Sequence, residues 1–350
     1  MCQLPLVMDS GTQGKFHVQG ICLDDQHQYI YLSFTTSLVK MDLQGNLIGS
    51  VHGLTGHLGC IGFNSDNGRV YGSLEYKNDA IGRGILKGLG QEEATNSNRF
   101  YIAIFDVDKI DRPDMDAAGI MTTVNLNDVV ADYEATVLHQ NKEIEHRYGC
   151  SGIDGMTFAP IPGSGKNSPR DLFVAYGVYG DTNRTDNDYQ VIHRYDISGW
   201  DQLAKPLSAE APHTSGPAKP NSKYFVFTGN TEWGVQNMEY DPATGNILLA
   251  VYPGHKPAYT NPPMFVIDGS IAPRHEILKG VEPDTEAEVL TLWGTGTEGY
   301  SFPYGSTGIY AFGDGRFYFS ENYRTQEGLE GSVIRMYRYT GQAPELFEKM

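Results

Sequence analysis

The sequence predicts an all-β protein, and three observations lead to that prediction. Many short apolar runs are separated by Gly, Asn and Asp, which is the pattern of strands joined by tight turns. Runs with helical periodicity are scarce, although 40% of the 350 residues are hydrophobic and could bury a large core. A strand–turn–strand unit also recurs along the chain, and its clearest copy is Gly234–Tyr252, GVQNMEYDPATGNILLAVY.

Five copies of this unit can be aligned. Each begins with small or polar residues, continues as an alternating strand, turns, and ends in a strand of larger apolar residues. The copies are Gln19–Phe34, Leu58–Tyr76, Gly152–Gly177, Gly234–Tyr252 and Gly305–Tyr323. A third strand is predicted after each copy, over Ser37–Leu43, Arg99–Val107, Gln190–Ile197, Pro263–Gly269 and Ser332–Tyr339.

A weaker fourth strand is predicted after each third one. The five segments are NLIGSV from Asn46, GIMTTVNL from Gly119, KYFVFTG from Lys223, EVLTLWG from Glu288 and ELFEKM from Glu345. Four antiparallel strands repeated around an axis form a propeller blade, so the sequence predicts a five-bladed β-propeller. We expect one domain over residues 1–350, with blades over approximately 17–56, 57–149, 150–231, 232–303 and 304–350. Residues 1–10 or the C-terminal segment would close the ring, and a β-sandwich of repetitive hairpins is the alternative fold.

Composition and charge exclude several classes of partner. The net charge of −17 disfavours nucleic acid, which needs a basic face, and anionic membranes. No apolar run approaches the roughly 18 residues of a membrane span. The first ten residues show no signal peptide, so we expect a cytoplasmic protein as written and an exported one if a leader was removed. The cysteines fit neither a CxxC zinc site nor a dense disulfide framework; they are Cys2, Cys22, Cys60 and Cys150.

Polar residues precede the apolar anchor of each inner strand. Because the first strand of a blade lines the central channel, these residues should form a ring of polar groups around it. They are Gln19, Cys60, Asp154, Gln236 with Asn237, and Thr307. Asp154 is the one carboxylate of this set, which suggests a general base, a nucleophile or a metal ligand, or a cap for backbone N–H groups. Glu75 and Glu232 should reach the same face, and glycoside hydrolysis needs such a pair of carboxyl groups.

Aromatic and polar side chains near this face suggest a substrate-binding surface. Aromatic rings suit the apolar faces of sugars, and an arginine can hold an anionic group. The predicted substrate-binding residues are Trp233, Gln236, Asn237, Tyr176, Tyr252, Tyr304 and Arg147. The alternative is that many of these rings fill gaps between propeller loops.

Two histidines could contribute to a metal site. His57 and His146 lie in the loops that enter blades two and three, where Glu75 and Asp154 could join them. Histidine and carboxylate ligands suit Zn²⁺. The segment Asp181–Asp188 alternates oxygen-bearing side chains as a calcium loop does, but it lacks the turn glycine of such loops. No cofactor is therefore certain, and Ca²⁺ or Zn²⁺ remains an option beside purely structural roles for these histidines.

The five second strands and the Asp-ended third strands resemble those of five-bladed propeller proteins in general. That group includes glycoside hydrolases, glycan-modifying enzymes and calcium-dependent nucleotidases. The resemblance covers nearly the whole chain but is architectural, since no catalytic motif of these families matches. It implies a carbohydrate-active hydrolase with a small-molecule or oligosaccharide ligand at the channel. The alternatives are a metal-dependent hydrolase of an ester, amide, lactone or phosphate, and a non-catalytic propeller that binds a glycan or a protein.

Overall fold

The repeated hairpins form the inner halves of five blades, which confirms the predicted β-propeller. The computed structural model describes residues 4–91, 98–208 and 212–350. Its blades contain three to six strands, and nearly all neighbouring strands are antiparallel. No helix within these described ranges is both long and apolar enough to cross a membrane.

Blades one and two follow the predicted order. After β1 (Val7–Thr12), blade one contains β2 (Val18–Leu23), β3 (Tyr29–Phe34), β4 (Ser37–Asp42) and β5 (Leu47–His52). Blade two contains β6 (His57–Asn64), β7 (Arg69–Tyr76), β8 (Arg99–Phe105) and β10 (Met121–Asn125). Between β8 and β10, the short β9 (Met115–Asp116) leaves blade two and pairs in parallel with β5.

Blade three is the largest. A separate hairpin of β11 (Thr136–His139) and β12 (Lys142–Glu145) precedes it. Its four regular strands are β13 (Cys150–Pro160), β14 (Arg170–Val178), β15 (Tyr189–Tyr195) and β16 (Ser222–Phe227). Blade four contains β17 (Thr231–Tyr240), β18 (Ile247–Pro253) and β19 (Met264–Ile267), and β20 (Arg274–Ile277) and β21 (Glu286–Val289) follow it in the chain.

The predicted fourth strand of blade four is wrong for its first residues and confirmed only near Leu292. The segment that begins at Glu288 was expected to pair with β19, but β21 pairs in parallel with β16 at the edge of blade three. The remainder of the segment crosses to blade four, where Leu292 forms a single bridge with Ile267. One segment thus hydrogen-bonds to two blades in succession, which a pattern of local alternation does not reveal.

Both chain ends close the ring in blade five. This blade contains β22 (Ile309–Ala311), β23 (Arg316–Arg324), β24 (Glu330–Tyr339) and β25 (Phe347–Lys349). The N-terminal β1 pairs with the Gly331–Arg335 part of β24, and β25 pairs with its Tyr337–Tyr339 part. Both termini therefore close the ring, because β1 and β25 pair with the same strand, β24.

The hydrophobic core is divided among the blade interfaces. Five buried apolar clusters occur among the described residues, and each lies between two neighbouring blades. One of them joins the last blade to the first, through Tyr318 and Ile334 on one side and Leu32 and Val39 on the other. Burial of apolar surface at every interface, rather than in one central core, stabilises the closed ring and leaves its axis to polar groups.

Turn chemistry explains why the hairpins form where they do. In blade four, the Asp241 side chain accepts hydrogen bonds from the backbone N–H groups of Ala243 and Thr244. Gly245 follows with φ of 82°, a left-handed conformation that glycine adopts without strain. An Asp-to-Gly turn between two apolar runs thus fixes the register of β17 and β18.

Two short helices interrupt the strands. Helix α1 (Ala80–Gly88) follows β7, and Asp79 caps it by accepting a 2.9 Å hydrogen bond from the Gly82 N–H group. Helix α2 (Asn127–Tyr133) follows β10 and packs on β13. Single 3₁₀ turns cover Val107–Lys109, Arg147–Gly149, Trp200–Gln202 and Gly296–Glu298.

Candidate functional site

Bulges in the inner strands turn polar residues toward the channel. In four inner strands the pairing register shifts near the strand entrance, between Val18 and Gly20, Leu58 and Ile61, Ile153 and Met156, and Val235 and Asn237. A bulge leaves an extra residue unpaired and changes the direction of its side chain. The bulged segments contain Gln19, Cys60, Asp154 and Gln236, which are residues predicted to surround the channel.

Four ionisable side chains meet at the upper mouth of the channel, and we call them the upper cluster: His57, Glu75, Lys77 and Asp154. His57 Nδ1 lies 3.4 Å from Glu75 Oε1 and 3.9 Å from Asp154 Oδ1. Lys77 Nζ lies 2.6 Å from Glu75 Oε1, and these two side chains are only 5% and 3% exposed. The cluster is therefore a nearly dry set of charges in which Glu75 contacts both cationic groups.

Backbone groups fix the Glu75–Lys77 pair from the side of blade three. Glu75 Oε2 accepts a 3.2 Å hydrogen bond from the Ile153 N–H group. Lys77 Nζ donates a 2.7 Å hydrogen bond to the Ser151 carbonyl oxygen. Charge-assisted hydrogen bonds of this kind compensate for part of the lost hydration of both ions. The pair links blade two to β13, the strand that carries Asp154.

The two carboxyl groups of the cluster are shifted in opposite directions. Burial, together with the nearby Glu75 charge, raises the pKa of Asp154 to about 7, although the charges of His57 and Lys77 act to lower it. Burial also acts to raise the pKa of Glu75, but Lys77 and His57 outweigh it and hold that pKa below its usual value. For His57 burial lowers the pKa, while Glu75 and Asp154 outweigh burial and raise it. Near neutral pH, Glu75 is thus ionised while Asp154 holds a proton much of the time.

Gln236 connects Asp154 to a strained tryptophan. Gln236 Nε2 donates to Asp154 Oδ2 at 3.2 Å and to the Trp233 carbonyl oxygen at 3.0 Å. Trp233 has φ of 64°, an uncommon conformation for a bulky residue, and Gly234 follows with φ of 74°. The ring of Tyr179 packs edge-on against Trp233 with centroids 5.7 Å apart. Strain of this kind tends to be stored at functional sites, and here Gln236 links it to Asp154 through two hydrogen bonds.

Residues of blades one, four and five complete the polar lining of the channel. His17 Nε2 lies 3.1 Å from Gln19 Nε2, and burial together with the His57 charge lowers the pKa of His17. Asn237 Nδ2 donates to the carbonyl oxygens of Gln19 and Ser306 at 2.7 and 2.9 Å. The Asn237 amide therefore joins β17 to β2 and to the turn that precedes β22.

A cavity of about 180 Å³ opens beside the upper cluster. His57, Glu75 and Lys77 form its polar wall, while Ile81 and Ile85 of α1 form its apolar wall. The helix is held in place by its cap, because Asp79 also accepts a 3.0 Å hydrogen bond from the Tyr179 hydroxyl group. A ligand in this cavity would contact charged groups on one side and aliphatic groups on the other.

The two predicted partners of Asp154 lie in different places. Glu75 Oε1 and Asp154 Oδ1 both face His57 Nδ1, at 3.4 and 3.9 Å. Glu232 lies at the rim, where its side chain is 30% exposed and Oε2 is 3.9 Å from His255 Nε2. The structure therefore brings Glu75, and not Glu232, to Asp154. Tyr252 is also near Asp154; burial raises its pKa, and the Asp154 charge contributes to that shift.

The other predicted substrate-binding residues lie away from the upper cluster. Tyr176 is fully buried in blade three, where its hydroxyl group bonds to Asp132 and His193, each at 2.9 Å. Arg147 is about half exposed and lies 3.1 Å from the same Asp132. Tyr304 packs on Phe302 at a centroid distance of 5.7 Å in blade five. Ligand contact by Tyr176, Arg147 and Tyr304 remains a prediction from the sequence.

The histidines of the predicted metal site are held by different partners. His146 Nδ1 donates a 2.6 Å hydrogen bond to the Tyr133 carbonyl oxygen, and its ring packs between Tyr133 and Tyr179. His57 instead faces the carboxylates of the upper cluster. Within the described ranges, no group of three or more His, Cys, Asp or Glu side chains is placed to hold a metal ion. Binding of Ca²⁺ or Zn²⁺ remains an untested prediction.

The close packing of Gly59 on Asp154 gives a direct test of the cluster. A methyl group at Gly59 would overlap Asp154 Oδ1 and would lie 2.6 Å from Ser73 Oγ. We expect Gly59→Ala to lower the free energy of unfolding by about 1–3 kcal/mol, measured by urea denaturation. Gly84→Ala is the control, because nothing lies within 4 Å of the added methyl group in α1. Equal stability of both variants would show that Asp154 is not packed as described.

Comparisons with known proteins leave the function open. No family model and no curated protein matches the chain. Among solved structures, the chain is similar to a protein of unknown function from Bacteroides caccae. The two are 9% identical, the match covers 74% of this chain and 80% of that chain, and the TM-score is 0.34. This similarity is too low to carry any function to the chain, so the site must be interpreted from its own chemistry.

Proposed function

We propose that the protein is a hydrolase that cleaves glycosidic bonds at the upper cluster. One observation carries this proposal: two buried carboxyl groups with oppositely shifted pKa values flank one imidazole at the channel mouth. Glycoside hydrolysis needs one protonated and one ionised carboxyl group at the same pH. Asp154 suits the first role and Glu75 suits the second.

The reaction assigns a separate task to each group. Asp154 donates its proton to the glycosidic oxygen as the bond to the anomeric carbon breaks. Glu75 stays ionised because Lys77 is 2.6 Å away, and it stabilises the positive charge that develops on the sugar. A water molecule then adds to the anomeric carbon and returns a proton to Asp154. Gln236 orients Asp154 throughout by donating to Oδ2.

Aromatic side chains near Asp154 support a carbohydrate substrate. Tyr252 lies close enough for its pKa to respond to the Asp154 charge, and the backbone carbonyl of Trp233 is linked to Asp154 through Gln236. Tyr76 lines the adjacent cavity. Aromatic faces beside a proton donor are suited to hold a sugar ring in place while its leaving oxygen is protonated.

A second candidate rests on the His57–Glu75 contact. A carboxylate that faces Nδ1 of a histidine prepares Nε2 to act as a general base. In that case His57 would activate water to attack an ester or lactone, and Lys77 would stabilise the developing negative charge. His57→Gln distinguishes the two functions, because it removes the base of an ester hydrolase but leaves both carboxyl groups of a glycosidase.

Turnover of a substrate panel tests the proposal. The panel contains oligosaccharides, chromogenic glycosides and chromogenic esters, each assayed with and without EDTA. The proposal expects hydrolysis of a glycoside that persists in EDTA. Hydrolysis of esters alone would favour the second candidate, and activity lost in EDTA would favour a metal-dependent enzyme. Saturable glycan binding without turnover would contradict hydrolysis and indicate a binding protein.

The pH profile gives a further prediction. Because Asp154 acts in its protonated form, we expect kcat/KM to fall as pH rises through about 7. The charged and titratable groups that face Asp154 are His57, Glu75, Lys77 and Tyr252, and Glu75 keeps its charge in this range because its pKa is lowered. The profile should be measured from about pH 5 to about pH 9. A rate that increases through this range would contradict a proton-donating Asp154.

A further inference from the structure

The channel has a second mouth on the opposite side of the ring. A cavity of about 200 Å³ opens there, and its lining residues come from all five blades. It shares no lining residue with the cavity at the upper cluster. The Asn237 bridge described above lies between the two mouths. We call this region the lower mouth and consider it as an independent site.

Glu239 lies at the inner end of the lower mouth, and no side chain of the described residues forms an ion pair with it. It belongs to the inner strand β17, two residues beyond Asn237. Its Oε1 accepts a 2.7 Å hydrogen bond from the Ala311 N–H group. The guanidinium of Arg170 lies over the Tyr240 ring, 5.0 Å from its centroid; its charge acts to lower the pKa of Glu239, but the two groups form no ion pair. A half-buried carboxyl group with one neutral donor is favoured in its ionised form when a cation contacts it directly.

Aromatic rings surround the entrance to Glu239. Phe63, Phe158 and Phe312 are partly buried and come from blades two, three and five. His27 donates or accepts a 3.0 Å hydrogen bond with the Tyr310 hydroxyl group. Ring faces attract cations through their quadrupole, most strongly where water is excluded.

A second carboxylate lies at the outer edge of the lower mouth. Asp25 lines the cavity, and its Oδ1 accepts a 2.6 Å hydrogen bond from Ser65 Oγ. Asp25 and Glu239 therefore give the lower mouth two carboxyl groups, against the one guanidinium of Arg170. This balance of charge, with aromatic rings in the same lining, suits a ligand that carries a positive charge.

We propose that the lower mouth binds a small organic cation, with a protonated amine directed at Glu239 and its carbon skeleton against the aromatic rings. The amine would supply the direct ion-pair partner that no side chain of the described residues provides. Burial raises the pKa of Glu239 to about 8, and it outweighs the Ala311 hydrogen bond and the Arg170 charge, which act to lower that pKa. This site is independent of the proposed hydrolysis at the upper cluster.

Calorimetric titration with benzylammonium tests the proposal, with benzyl alcohol and benzoate as neutral and anionic controls. We expect saturable binding of benzylammonium and at least about 10-fold weaker binding of both controls. Glu239→Gln should weaken benzylammonium binding by at least about 10-fold, since the amide keeps the shape and the Ala311 hydrogen bond but not the charge. Circular dichroism checks that this variant is folded.

Two further variants keep the test decisive. Asp154→Asn should leave benzylammonium binding unchanged, so failure of hydrolysis and failure of cation binding are separated. Phe158→Leu should weaken binding by removing a ring face without touching either carboxyl group. Equal affinity for benzyl alcohol, unchanged binding by Glu239→Gln, or no saturable binding of benzylammonium would each overturn the proposal.

Discussion

Asp154→Asn is expected to lower kcat/KM for a glycoside by roughly 10²- to 10⁴-fold. Asparagine has nearly the same shape, and it can still accept the Gln236 hydrogen bond and pack on Gly59. It cannot donate an acidic proton to a leaving oxygen. The measurement is steady-state kinetics on the best substrate of the panel, with circular dichroism to confirm the fold.

The stability of this variant separates a chemical role from a structural one. Because the pKa of Asp154 is raised on folding, the wild-type protein loses stability as pH rises through about 7. Asp154→Asn removes that loss, so it should be at least as stable as the wild-type protein at about pH 8. Glu232→Gln is the matched control, because Glu232 lies at the rim beside His255 and should change kcat/KM by less than about 3-fold. Full activity of Asp154→Asn would refute the proton-donor assignment.

Lys77→Met is expected to lower the free energy of unfolding by about 3–5 kcal/mol. Lys77 and Glu75 are both almost fully buried and lie 2.6 Å apart. Loss of the ammonium group leaves Glu75 as a buried charge whose remaining contacts are His57 and the Ile153 N–H group. Urea denaturation at about pH 7 measures the change, since Glu75 is ionised at that pH in the native protein.

A double variant and an exposed pair provide the controls for Lys77→Met. Lys77→Met combined with Glu75→Gln should recover most of the lost stability, because no uncompensated charge remains. Lys109→Met removes a lysine that is 57% exposed and lies 3.0 Å from Asp106, so it should cost less than about 1 kcal/mol. A similar cost for Lys77→Met and Lys109→Met would contradict the burial of the upper cluster.

The repeated hairpins were predictable because their signals are local. An Asp-to-Gly turn such as Asp241–Gly245 and the alternation on either side of it specify a hairpin wherever they occur. The pairing of β21 with blade three was not predictable, since it depends on a strand about 60 residues away in sequence. Helix α1 was missed because it contains Gly82 and Gly84, which give it low helix propensity; its cap and its packing stabilise it instead.

The site was predicted in part. The polar position ahead of the inner strand of blade three identified Asp154, and Glu75 was one of the two partners considered. The choice between Glu75 and Glu232 depends on where the bulges turn Asp154 and Glu232, and bulges arise from pairing between strands rather than from residue type. Glu239 was overlooked, although a carboxylate within the otherwise apolar end of an inner strand is a signal that could have found it.

Infrared titration of the carboxyl groups tests the central claim most directly, because it reports whether Asp154 is protonated beside an ionised Glu75. The Glu239→Gln background removes the second carboxyl group whose pKa is raised among the described residues. We expect a protonated-carboxyl band that disappears with an apparent pKa near 7 and that is absent when Asp154→Asn is added. A band that persists in the Asp154→Asn protein, or no such band at about pH 6, would contradict the account.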